Sequence, residues 1–467
     1  MTTPTPTALN VSDLRGTFAG ELILPGDDAY DEARRVWNAM VDHRPALIAR
    51  CTSAADVAAA IGFGRAVGLE IGVRCGGHSV LGLAMPEGGV AIDLSPMRNV
   101  HVDRDRRIAH VQGGALLGDL DRAAQAHGLA TTAGNVSHTG VGGLTLGGGM
   151  GWLGRQFGLA CDNVISAEVV TADGDALRAS ATEHPDLYWA LRGGGGNFGV
   201  VTDFEFQLHP VAPPVLSVDI WFDADDATDV LRGWRDLLSD APTRATMTAW
   251  VGTTAPTWDF LPAELRGRPL SNAGFVWVGN PEEGRSLVPA VRDLASPLAE
   301  TIDEMTYLGL QSSADVPMAH GMRRYWKGHY FRDLTDAAID AFISRGGEPG
   351  ADGFRPNGSF QSYGGAIAEV ADDETAFSHR DALVEFVSVS TWTDAAEDAA
   401  RIAAARRFGA AMQPFSSGVY VNGLADEGEA GVRAAYRPHN LERLAAIKAR
   451  YDPDNVLHLN HNIRPAT

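Results

Sequence analysis

Three glycine-rich runs within residues 74–201 constrain this chain more than any other feature. The first, Arg74-Cys75-Gly76-Gly77-His78-Ser79, follows the apolar stretch 69–73, which reads as a buried strand after Gly68. The second spans residues 133–152 and carries Gly134, Gly140, Gly142, Gly143 and Gly149. The third is Arg192-Gly193-Gly194-Gly195-Gly196-Asn197-Phe198-Gly199-Val200-Val201. Paired glycines after a strand let backbone N–H groups come close to a pyrophosphate, because no Cβ stands in the way. The runs are flanked by apolar strands and lack Ser/Gln enrichment, so they do not read as flexible linkers. Their spacing also departs from the strand, Gly-x-Gly-x-x-Gly, helix order of a Rossmann fingerprint. Taken alone, the first run is equally an ordinary turn with a surface histidine. Together the three predict backbone wrapped along an extended dinucleotide, with Arg74 supplying charge and His78 held beside the ligand.

From Arg44-Pro45-Ala46-Leu47 through Gly76-Gly77-His78 to Asn197-Phe198-Gly199-Val200-Val201-Thr202, the chain resembles the FAD-binding domain of the vanillyl-alcohol-oxidase type (PCMH-type) flavoproteins. Within them it is most similar to the berberine-bridge and 6-hydroxynicotine-oxidase-like group. The segment Tyr451-Asp452-Pro453-Asp454-Asn455-Val456-Leu457-His458-Leu459-Asn460-His461-Asn462 resembles that group's closing stretch. The resemblance implies FAD, bonded to the chain through His78. It places Arg74, Cys75, Gly76, Gly77, Ser79, Gly134, Gly142, Gly143, Gly149, Asn197, Gly199, Val200, Val201 and Asn460 around the cofactor. Many relatives add a second link from a cysteine. Val136 stands at that position here, which implies a single link, and Cys161 reads as a small buried hydrophobe. Val136, His138, Thr139 and Leu144 resemble the segment beside the flavin in the enterocin Favorskiase subgroup. That narrower likeness implies a small dioxygen pocket and flavin-N5-oxide chemistry; the plainer alternative is loop packing. Met150 and Trp152 would follow on the substrate side.

Bulk properties fit an enzyme. The chain has 467 residues, 45% of them hydrophobic, and 53 glycines, which favours a globular chain of two or more domains. Acidic residues exceed basic ones by 59 − 38 = 21, which disfavours nucleic acid and anionic membranes as partners. Three cysteines give no disulfide framework, so a reducing cytoplasm is the default expectation. Residues 1–10 lack a basic-then-apolar leader, and no stretch of about 18 apolar residues suggests a membrane span. The expected assembly is a monomer or homodimer.

The coarse organisation reads as α+β. Residues 1–212 form an FAD-binding domain with its core at 43–212, after a lead-in with an amphipathic helix at 30–41. Ser53 is a plausible N-cap for a helix at 54–67, stopped by Gly68. The break at His209-Pro210-Val211-Ala212-Pro213-Pro214 opens a substrate domain, 213–415, with a mixed or antiparallel sheet covered by helices. Residues 416–467, with a helix at 440–450, return to the first domain.

In the substrate domain, Ser359-Phe360-Gln361-Ser362-Tyr363-Gly364-Gly365 resembles the family's strand ending in Gly-Gly. Strand alternation puts Ser359, Gln361 and Tyr363 on one face. If that face meets the flavin, Gln361 and Tyr363 orient or deprotonate the substrate, with Lys327 or Arg324 lowering the tyrosine's proton affinity. The strand carries no carboxylate before Gly364, which argues against an acidic base there. Tyr420 and Asn422 are further catalytic candidates, although Gly423 stands where relatives often have a second tyrosine. Residues 325–330 and Trp250 are candidates for an aromatic wall. The histidines are scattered, with no metal-binding spacing, and no Gly-x-Ser-x-Gly elbow occurs. The expected activity is a covalent-FAD oxidase acting on a small molecule and dioxygen. The alternatives are a flavin-dependent oxygenase of a polyketide-like or aromatic intermediate, and a flavin-binding protein without turnover.

Overall fold

The computed structural model describes residues 10–212, 214–350 and 353–467; the leader reading at residues 1–9 and Pro213 of the break fall outside them. Three main sheets carry the architecture, and the α+β expectation holds. The first has four strands in the order Glu21–Ile23, Leu47–Arg50, Val90–Asp93, Ile71–Arg74. Its first pair is antiparallel and the other two are parallel. The two central strands are almost wholly buried, as strands covered on both faces must be. Helix Ala54–Val67 packs on this sheet through Val57, Ala60 and Ile61. That helix starts and stops as its sequence dictates: the Ser53 hydroxyl accepts from the Asp56 N–H at 3.2 Å, and Gly68 takes φ 69°.

A second, antiparallel sheet runs Val100–Asp103, Ile108–Gln112, Val200–Gln207, Val164–Val170, Ala176–Ser180. Its core also takes Val421, Leu424, Tyr436, Leu444, Ile447, Tyr451 and Ile463, so the C-terminal segment packs back against the first half of the chain.

The third sheet has seven strands, in the order Ala299–Met305, Val215–Asp223, Pro269–Trp277, Ala245–Thr253, Asn357–Ser362, Val384–Trp392, Arg323–Phe331. Every pairing in it is antiparallel. Period-two alternation divides its faces. Phe360, Val384 and Phe386 turn to helices Ala227–Leu238, Asp336–Ser344 and Asp398–Met412, forming one apolar core with Trp234, Phe342 and Phe408. Ser359, Gln361, Glu385, Val387 and Val389 turn the other way, into a cavity.

The helix expected at 30–41 is cut to Tyr30–Ala33. Beyond it, tertiary bonds override local propensity. The Trp37 N–H donates to the Gly77 carbonyl at 3.1 Å, and Asn38 Nδ2 donates to Val80 and Arg324 carbonyls at 2.7 and 3.0 Å. Among the described residues no helix is long and apolar enough to cross a membrane.

Candidate active site

A cavity of about 610 Å³ runs between the glycine-rich loops and the open face of the seven-stranded sheet. Cys75, Gly76, Gly77, His78 and Ser79 line it, as do Gly134, Val136, Thr139, Gly142, Gly143 and Leu144. Asn197, Gly199, Val200, Val201 and Asn460 close the same side. The three runs therefore meet, although they lie far apart in sequence. Gly76 and Gly140 show why glycine is needed: a Cβ on either would stand 2.3 Å from the other's backbone nitrogen. The first two loops touch backbone to backbone, which no side chain permits. By contrast, a Cβ on Gly143 or Gly196 would project into open space, and both residues line the cavity.

Three predicted cofactor residues lie behind this wall. Arg74 is not available to a phosphate: its guanidinium pairs with buried Asp93 and donates to the Ala33 and Arg35 carbonyls. A buried carboxylate needs that cation, and the pair fixes the strand end that launches the loop. Gly149 supports the site indirectly, its N–H donating to the Tyr420 hydroxyl at 2.8 Å. His138 stands outside the cavity, with its Nδ1 2.7 Å from His78 Nε2.

His78 is closely constrained. Trp37 stacks on its ring at 4.6 Å and 17°, and the Arg324 guanidinium covers Trp37 at 4.3 Å. The Thr139 hydroxyl lies 3.4 Å from His78 Nδ1. Burial first, then His138, His320 and Arg324, push the His78 pKa down to about 2, so the ring is neutral at all ordinary pH values. Its Nε2 is engaged by His138, while Nδ1 lies on the side of Thr139, a cavity residue.

At the other end, Gln361 lines the cavity and its Oε1 accepts from Asn135 Nδ2 at 3.1 Å, tying the sheet to the second glycine run. Its Nε2 is buried without a protein partner, as are Asn460 Oδ1 and Asn135 Oδ1. Buried polar atoms left open in this way mark positions where a bound group supplies the missing bond. Directly across the strand pair from Gln361 stands Glu385, which the sequence did not single out. Its carboxyl is almost wholly buried, and that burial raises its pKa to about 7. A period-two run, Val384-Glu385-Phe386-Val387, was the available signal: one acid among residues otherwise fit for a buried strand.

Tyr363 does not reach the cavity wall. It is fully buried, donates to Glu385 Oε2 at 3.0 Å and lies 3.2 Å from the Tyr330 hydroxyl. Burial and Glu385 push its pKa well above the ordinary phenol value, which removes it as a base. Neither expected cation helps: Lys327 pairs with Asp426 and Glu427, and Arg324 stacks on Trp37. Tyr420 and Asn422 do line the cavity, but Asn422 Nδ2 donates to the Leu144 carbonyl at 3.0 Å and to the Tyr420 hydroxyl at 2.9 Å. Of the aromatic candidates, Trp326 lines the cavity with Met150 and Trp152. Trp250 packs instead against Trp221 and Trp258, 5.7 and 5.8 Å away. Cys161 is completely buried among Leu159, Tyr330, Tyr363 and Phe377, away from the cavity.

Residues 45–180 match the FAD binding domain family, and residues 419–464 match the berberine and berberine-like family. (R)-6-Hydroxynicotine oxidase of Paenarthrobacter nicotinovorans is 32% identical over 468 residues, covering 96% of this chain and 97% of that protein. The crystal structure of 6-hydroxy-D-nicotine oxidase from Arthrobacter nicotinovorans matches with a TM-score of 0.86 at 28% identity, covering 98% of this chain and all of the other. Glucooligosaccharide oxidase from Acremonium strictum, described with 6-S-cysteinyl, 8α-N1-histidyl FAD, matches with a TM-score of 0.85 at 26% identity, over 97% of this chain and 99% of its own. A cradle of glycine backbone with open space before it and unpaired amide groups at its rim fits FAD, and the chain belongs to the berberine-bridge-like family of FAD-linked oxidases.

Proposed function

We propose that FAD is attached through His78 and that the chain oxidises a small organic substrate at a C–H bond beside a hydroxyl or amine. One observation carries this reading: the cavity joins the glycine cradle and His78 at one end to a buried carboxyl, Glu385, at the other. When bound, the flavin supplies a hydride acceptor. Glu385 takes the proton from the substrate's O–H or N–H while the carbon loses hydride, leaving a C=O or C=N product. Its pKa near 7 suits a base at neutral pH, and Gln361 Nε2 supplies a donor that orients the substrate's heteroatom. Dioxygen would then take up those two electrons with two protons, one from the transferred hydride and one given back by Glu385, and leave as hydrogen peroxide, which restores the base. His78 Nδ1 is the nitrogen left for the cofactor, in keeping with the histidyl linkage described for glucooligosaccharide oxidase.

A second cysteinyl link is not expected. Val136 lines the cavity, Cys161 and Cys51 are buried apart from it, and the Cys75 thiol is pushed up to about 11 by burial. Mass analysis of proteolytic peptides should find flavin on His78 alone.

Anaerobic mixing with panels of alcohols, amines and sugars tests the activity. Bleaching of the flavin absorbance by one class supports the reading, and no bleaching by any class would make the chain a binder rather than an enzyme. Tyr363→Phe tests how the base is tuned. The lost hydrogen bond normally lowers the Glu385 pKa, so the variant's reduction rate should rise with pH later than wild type. The expected result is a midpoint displaced upward by about 0.5–1 unit, with a near-normal plateau. A downward displacement would contradict the assignment.

Val136, Thr139 and Leu144 all line the cavity, which favours one further reading: these residues would admit dioxygen beside the cofactor, with one oxygen atom entering the organic product and the other leaving as water. Thr139→Leu or Leu144→Phe should slow reoxidation by about 10-fold or more while leaving anaerobic reduction nearly intact. Equal losses in both half-reactions would remove the loop from dioxygen access. Label from ¹⁸O₂ in the organic product, rather than in peroxide alone, would identify an oxygenase.

A further inference from the structure

We propose that His78, His138 and His320 form a binding site for one divalent transition-metal ion of the zinc or copper class, on the side of His78 facing away from the cavity. The three residues come from separate loops, and their spacing in sequence gives no sign of a site. In the fold, one ring nitrogen from each lies within 4.8 Å of the others. The ring centroids are 4.8 Å apart for His78 and His138, 5.8 Å for His78 and His320, and 5.0 Å for His138 and His320.

Two observations point to a ligand rather than to chance proximity. His78 Nε2 and His138 Nδ1 lie 2.7 Å apart and share one proton; an ion that displaced it would hold both nitrogens once they spread to about 3.3 Å. His138 Nε2 is buried without any protein partner, so this ring keeps an open nitrogen for the ion where its Nδ1 holds the bond to His78. Imidazole-only sites favour zinc, copper and nickel over magnesium or calcium, which demand oxygen ligands. Zinc binds imidazole nitrogen at about 2.0–2.1 Å, so at a tetrahedral angle two nitrogens on one ion are about 3.3–3.4 Å apart. The widest pair must close by up to about 1.5 Å, a movement within reach of a side-chain rotation of His320, the exposed member.

The charged surroundings limit the affinity. Arg324 stands behind Trp37, and Arg74 is neutralised by Asp93. The set itself contains no carboxylate. A neutral three-imidazole set near one guanidinium binds more weakly than a set with a carboxylate, and it leaves a fourth position open to water. His320 and His138 do not line the cavity, so the ion sits outside the substrate space and leaves His78 Nδ1 to the cofactor. Metal content and FAD content are separate readouts, so loss of one does not imply loss of the other.

Calorimetric titration of metal-stripped holoprotein with zinc sulfate tests the site, together with metal analysis after gel filtration. The expected result is one equivalent of zinc, no heat with magnesium, and at least about 10-fold weaker binding in His320→Ala with an unchanged FAD content. Copper loading of the wild type should give an electron paramagnetic resonance spectrum with coupling to imidazole nitrogens. Equal zinc affinity in wild type and His320→Ala would overturn the proposal, as would wild type without a stoichiometric site. If His320→Ala lost FAD as well, the copper spectrum of the wild type would decide alone: nitrogen coupling supports the site and its absence sinks it.

Discussion

Replacing Glu385 with Gln should slow anaerobic flavin reduction by about 10²- to 10⁴-fold, the loss typical of a positioned general base. Glutamine keeps the size and the hydrogen bond from Tyr363 but cannot take a proton. Its neighbour across the strand, Gln361, already supplies an amide, so the substitution leaves the polarity of the wall nearly unchanged. The pH profile adds an independent check. A base must be deprotonated to act, so wild-type reduction should be slow below about pH 7 and rise to a plateau above it. The variant should be slow and flat across that range.

Stability should move the other way. The carboxyl is raised from its ordinary value of 4.5 to about 7 in the folded chain. Between those values the native state holds a proton that the unfolded chain has lost, so the wild type loses stability as pH rises through this window. Glu385→Gln removes that cost, on the order of 1–3 kcal/mol at pH 8, and should raise the thermal midpoint there while activity collapses. A variant that melts earlier than wild type at pH 8 would show that the site's polarity had been misjudged. Wild-type reduction rates in the variant would dismiss Glu385 from the chemistry.

His78→Ala should convert the cofactor from fully retained to fully released on acid precipitation. Wild-type pellets should stay yellow, and the variant's flavin should pass into the supernatant. The neutral ring, fixed between Trp37 and His138, has Nδ1 turned to the cavity side, held only by a long contact to the Thr139 hydroxyl, and alanine has no such nitrogen. The glycine cradle survives the change, so the variant should still bind FAD ahead of precipitation. A colourless wild-type pellet would end the claim of attachment through this residue.

Much of the cofactor half is legible in the amino-acid order itself. Gly76, Gly143, Asn197 and Val200 come from three glycine-rich runs, yet each stands out by local pattern, since glycine clusters beside strands have few uses. The helix Ala54–Val67 is equally plain, because Ser53 and Gly68 act on their own immediate backbone. The half built on the seven-stranded sheet is less so. Strand alternation places Gln361 on the cavity face correctly, but Tyr363 lies one residue past the strand's end at Ser362, where alternation no longer holds. Glu385 is silent in the sequence because its meaning lies in its cross-strand partner: only the register that sets it beside Gln361 and under Tyr363 makes it a buried acid. The expectation for Arg74 fails for a similar reason, since Asp93 claims it from a neighbouring parallel strand.

The sequence by itself determined the fold family, the cofactor, the glycine cradle and the histidine beside it. These depend on backbone conformations and element boundaries that a few consecutive residues impose. Tertiary structure alone decided which acid faces the cavity, which cations are already paired, and which histidines share a proton. Burial, proton affinity and charge pairing arise between residues that are distant in the chain, and no local pattern encodes the dielectric that folding creates around them.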